Sequence, residues 1–101
     1  METYKMEDGC IVKRANATAS YEEERDWNGN NHIGRSSKSH WHYQNLYRSK
    51  KGRYWLEHIS CVQGERDWAE WISPQQAAAW LLLNGFEIPD ELKSAAIQIE
   101  E

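Results

Sequence analysis

Cysteine is scarce in this chain. Cys10 and Cys61 are the only two, so any disulfide framework reduces to a single bridge, and two thiols outside a CxxC spacing make a poor zinc site. Under reducing conditions both are expected to behave as small buried hydrophobes. Long apolar runs are also missing: none approaches the roughly 20 residues that span a bilayer, which excludes a helical membrane protein. The opening Met1-Glu2-Thr3-Tyr4-Lys5 has neither the basic start nor the apolar stretch of a signal peptide, so a cytoplasmic location is expected. The chain has no GxSxG, HExxH, P-loop or GxGxxG pattern, no obvious base beside either cysteine and no conspicuous carboxylate pair. No cofactor is implied, and an enzyme is the less favoured class. There is no solenoid-length repeat.

What the chain has is aromatic rings. Its 101 residues, 40% hydrophobic and 28% charged with a mean hydropathy of -0.92, provide one domain's worth of polymer, residues 1–101. Six Trp, five Tyr and one Phe supply the buried area that the aliphatic residues are too few to provide. Charge is uneven. Net values of -3, +5 and -6 for residues 1–27, 28–58 and 59–101 come from seven acids against four bases, one against six and eight against two. A basic middle in an acidic protein suits either an electrostatic stripe or a solvated hairpin with lysines guarding its edge, and we favour the latter.

Short extended segments are expected at residues 10–13 and 18–21, followed by a long polar loop over residues 28–39 that is either mobile or used. The strongest signal is an antiparallel hairpin of residues 40–49 and 53–62 around Lys50-Lys51-Gly52. A three-residue loop with glycine last sets Ser49 opposite Arg53. Tyr47 then faces Trp55, Tyr43 faces Ile59 and Trp41 faces Cys61 on one side, while Leu46 faces Leu56, Gln44 faces His58 and His42 faces Ser60 on the other. The ring-bearing side is expected to form the core, with Asn45 and Glu57 spoiling it. Residues 68–72 read as a further strand.

Ser73-Pro74-Gln75-Gln76 is a helix start with a capping box and proline at the first helical position, and the helix is expected to run to Asn84 and stop at Gly85. A second, shorter helix opens at Pro89, with the tail after Ala96 fraying. The predicted class is α+β: an antiparallel sheet of three to five strands, the helix packed across its ring-bearing face, and the short second helix. The second helix is too acidic to read a DNA groove.

Function candidates follow from that layout. His40, His42 and His58 are a weak candidate metal cluster with no obvious carboxylate behind them. His42 with His58 is also the acid–base pair that a small ribonuclease reading requires. The basic aromatic hairpin 40–58 suggests nucleic-acid binding, but alternation reserves most of its rings for the core. The favoured reading is a non-catalytic protein-interaction or regulatory module with a protein partner, or a homodimer through a strand edge. Its anchors would be Trp27, Arg48, Lys50, Lys51, Arg53, Tyr54, Trp68 and Trp71.

The stretches Leu46 to His58, Glu70 to Gly85 and Ile88-Pro89 resemble small uncharacterised bacterial proteins, some carried on mobile elements. The resemblance covers about the C-terminal half. It implies a bacterial cytosolic origin and an α+β fold, and transfers no catalytic residue.

Overall fold

The computed structural model describes residues 3–97. Its centre is a four-stranded antiparallel sheet in the order β3 (Ala19–Glu22), β6 (His42–Arg48), β7 (Tyr54–Ser60) and β8 (Trp68–Ile72). Two further hairpins flank it: β1 (Thr3–Lys5) with β2 (Ile11–Lys13), and β4 (Arg25–Trp27) with β5 (His32–Gly34). Helix α1 (Pro74–Leu83) and the short α2 (Lys93–Ile97), entered through a 3-10 turn at Asp90–Leu92, complete an α+β fold. No helix among the described residues is long and apolar enough to cross a membrane.

The β6–β7 register is the expected one at every position, from His42 opposite Ser60 to Arg48 opposite Tyr54. The Ser49 amide donates to the Arg53 carbonyl at 2.7 Å and the Gly52 amide to Ser49 at 2.9 Å, with Gly52 at φ +90°. That positive φ is what a glycine at the last loop position permits. The capping box is also present: Ser73 accepts from the Gln76 amide at 3.1 Å while the Gln76 side chain accepts from the Ser73 amide at 2.8 Å.

The helix, however, lies on the opposite face from the one expected. Leu46, Leu56 and Tyr54, assigned to the wet side, are buried under Ala77, Ala78, Trp80 and Leu81. The helix tolerates the polar residue on this face because the Trp80 indole donates to Gln44 Oε1 at 2.9 Å. The ring-bearing face is covered instead by the β1–β2 hairpin, whose Tyr4, Met6 and Val12 pack on Tyr47 and Trp55. Both faces are therefore buried near the hairpin tip, and alternation between rings and polar groups cannot say which cover goes where. Further along that face the cover stops. Tyr43 is exposed beneath the Arg25 guanidinium, and Trp41 is 52% exposed.

Three other expectations are corrected. The 28–39 stretch is not a featureless loop. It contains β5, a turn in which the Asn28 side chain accepts from the Asn30 and Asn31 amides, and a segment wrapped around the Glu23 carboxyl group. That group accepts from the amides of Ser36, Ser37 and Gln44, and from both serine hydroxyls. A Cβ added to Gly34 would overlap it. Both cysteines are exposed, not buried, because Cys10 follows a surface turn and Cys61 lies past the end of β7. The fraying expected after Ala96 falls largely on residues 98–101, outside the described residues.

Glu57, which spoiled the apolar side on paper, has no solvent exposure. Its carboxyl group accepts from Tyr4 at 2.5 Å, Tyr47 at 3.2 Å and Asn45 at 3.1 Å, and faces Arg14 Nε at 3.2 Å. Glu57→Ala should strip those four donors of their acceptor and cost about 3–5 kcal/mol in urea denaturation, the usual range for breaking a buried charged pair. Burial, with Glu57 beside it, raises the Tyr47 phenol from its ordinary value of 10.0 to about 12, and the same causes raise Tyr4. The fold holds the neutral phenols, so this stabilisation is complete below pH 10.0 and fades as pH rises toward 12. The urea midpoint should fall across that window, and fall less steeply in Tyr47→Phe.

Candidate functional site

Docking of the β1–β2 hairpin on the sheet creates a groove. One wall is β2 and the residues just before and after it, including Cys10, Ile11, Lys13 and Ala17. The other is the β6–β7 turn with Lys50 and Lys51, and Trp55 and Trp71 line it from the sheet. The volume is about 440 Å³, within the range that accepts a small ligand or a few side chains. The hairpin is held in place at its turn. The Met6 amide donates to the Cys10 carbonyl at 2.7 Å, Gly9 takes φ +89°, and the Asp8 carboxyl group accepts from the Cys10 amide at 3.1 Å while facing Arg53 Nη1 at 3.2 Å. Arg53 in turn lies flat on Trp71, its guanidinium carbon 3.8 Å from the ring centroid, a cation–π contact.

Charge in the groove opposes that of the chain. Lys13, Lys50, Lys51 and Arg53 line it and, among the described residues, no Asp or Glu does, although the protein carries a net charge of -4. Among the described residues Lys13, Lys50 and Lys51 form no ion pair. Ile11, at 64% exposure, adds an apolar lip.

The expected anchor residues divide among several places. Lys50, Lys51, Arg53 and Trp71 meet in the groove. Arg48 is turned away from it, with Nε 3.2 Å from Glu91 and Nη1 donating to Thr18 at 3.0 Å. Tyr54 is no surface anchor: it is 3% exposed within the helix-side core, and its hydroxyl donates to Glu91 at 3.1 Å. The alternation argument put it outside because that argument put the helix on the wrong face. Trp27 is 60% exposed on β4 and lies against His32 with ring centroids 5.0 Å apart. Trp68 is 52% exposed and stacks on His58 at 4.1 Å.

The histidines also have partners that the linear order hid. His42 Nε2 is 2.9 Å from Glu65 and its Nδ1 2.9 Å from Ser39 Oγ, so both ring nitrogens are engaged. His58 Nε2 is 2.6 Å from Glu70. The carboxylates missing from the sequence reading are thus supplied across the β7–β8 pairing and by the turn before β8. His40 lies against Trp41, its ring tilted by 44° with centroids 4.5 Å apart, and among the described residues no group of three or more His, Cys, Asp or Glu side chains is placed to hold a metal ion. The two rings of the ribonuclease reading are held by these contacts, the His42 nitrogens by Ser39 and Glu65 and His58 Nε2 by Glu70. The bases at the hairpin tip line a different cavity from His42 and His58.

Sequence reasoning missed Ile11, Lys13 and Ala17 as groove residues. The available signal was Glu57 opposite Asn45: a carboxylate inside an apolar face requires a cover that brings donors. Comparison with protein-family models, curated proteins and solved structures finds no match to this chain.

The Asp8 carboxyl group is held down to about 2, mainly by the Cys10 amide, with Arg53 adding to it. A depressed carboxyl favours the fold above its ordinary range, and that contribution is lost as pH falls toward 2. By carbon-detected NMR titration, Arg53→Ala should move the Asp8 midpoint up but leave it below the ordinary 3.8, because the backbone donor remains.

Proposed function

We propose that this chain is a non-catalytic protein-interaction module. The observation that carries the reading is that Trp27, Trp41 and Trp68 are each more than half exposed, at 60%, 52% and 52%, while the two buried cores are built from other residues. The two cores close without these rings. Large aromatic surface left in water is the usual substrate of a protein interface, where Trp is among the favoured anchors. The place of such a module in the bacterial cytoplasm belongs to the same proposal and rests on the resemblance of the C-terminal half.

A partner other than a second copy is favoured at the free edge of β8. A two-fold pairing centred on that strand would set Glu70 against its own counterpart, and like charges directly opposite are destabilising. Nucleic acid is the weaker reading. Of the five Trp and Tyr rings in the 40–58 hairpin, Tyr47, Tyr54 and Trp55 are at most 8% exposed, and base stacking needs open ring faces.

Affinity capture on the immobilised protein from a lysate of its source cells, with and without nuclease, tests this reading. At least one protein should be retained in both cases and lost with Trp27→Ser or Trp68→Ser. Retention that disappears with nuclease, or is identical for both variants, would overturn the proposal.

A further inference from the structure

We infer that the groove between the β1–β2 hairpin and the β6–β7 turn docks an acidic polypeptide segment carrying one aliphatic side chain. The inference deepens the protein-binding reading and rests on it. The occupant is identified by charge and by shape. Three lysines and one arginine line the groove with no carboxylate among its described lining residues, Asp8 being the acid partner of Arg53, in a protein where acids outnumber bases by 16 to 12. Carboxylates entering here meet Lys13, Lys50 and Lys51, none of them committed to an ion pair among the described residues. Between those charges lies apolar surface from the half-buried Ala17 and Trp71, with Ile11 standing out at the lip. At about 440 Å³ the groove has room for an aliphatic side chain with its flanking backbone.

The rings in the groove select against nucleic acid. Trp55 stacks on Tyr47 at 4.4 Å and has Tyr4 at 6.0 Å, while Arg53 covers a face of Trp71. A base entering the groove would find Trp55 closed and one face of Trp71 already taken by Arg53. The charge pattern adds to this. A long polyanion would leave the groove and run into the field of an acidic protein, whereas a short acidic segment places its charges only where the lysines are.

The probe is a capped pentapeptide of four glutamates around a central leucine, titrated against the full chain at low salt and followed through the indole N–H resonances of Trp55 and Trp71. Both resonances should shift saturably, and added salt should weaken binding. The double variant Lys50→Glu with Lys51→Glu, at exposed turn positions where folding is not at stake, should weaken binding about tenfold or more. Ile11→Ser should weaken it less, and replacing the peptide's leucine by glycine should do the same. Equal binding of a lysine-for-glutamate peptide, unchanged affinity of the double variant, or tighter binding of oligothymidylate would each overturn the inference. Should the lysate partner persist with the double variant, the groove falls and the wider protein-binding reading stands. Loss of lysate capture while the peptide still binds would fault only the wider reading.

Discussion

The fully buried carboxyl group of Glu57 constrains more of this molecule than any other single group. A carboxylate in the middle of a sheet is tolerable only if its oxygens are met by donors, and those donors come from β1 through Tyr4, from the turn after β2 through Arg14, and from β6 through Asn45 and Tyr47. The small β1–β2 hairpin is thereby tied to the sheet by a polar network as well as by the packing of Tyr4, Met6 and Val12. Two-stranded hairpins are marginal alone. Fixed in this way, the hairpin completes the second core and forms a wall of the basic groove.

A second buried carboxyl group plays the same part on the other side of the molecule. Glu23 gathers the 34–37 segment through two amides and two hydroxyls, and Arg25 links it onward to the carbonyls of His42 and Ser39. Asn84, at the end of α1, accepts from the Glu24 amide at 2.8 Å, so the helix terminus is joined to the same polar cluster. Small domains gain little from a single apolar core. Here two modest cores are closed at their margins by carboxyl groups that collect backbone donors. The result is a scaffold stiff enough to hold Trp27 and Trp68 outward, and to keep a basic groove in an acidic protein.

Much of the local structure could be read from the chain. The β6–β7 register, the Gly52 turn, the Ser73 capping box and the stop at Gly85 are set by neighbours in sequence, where turn chemistry and pairing arithmetic act directly. β1 was not anticipated, and neither was the β4–β5 hairpin. Each is only three residues long, too short for a period-2 pattern to stand out. Part of the candidate site was legible too: Lys50, Lys51, Arg53 and Trp71 line one groove, while Tyr54 is buried on the helix side.

The sequence by itself determined the β6–β7 pairing and where α1 begins and ends, because those outcomes depend on hydrogen bonds and dihedral preferences a few residues apart. Only the tertiary structure decided which cover goes on which face of the sheet. Leu46 and Leu56 suit a helix, and Tyr47, Trp55 and Glu57 suit a hairpin that brings a phenol and a guanidinium. That choice rests on partners tens of residues away, Tyr4 lying 53 positions from Glu57, and no local pattern encodes it.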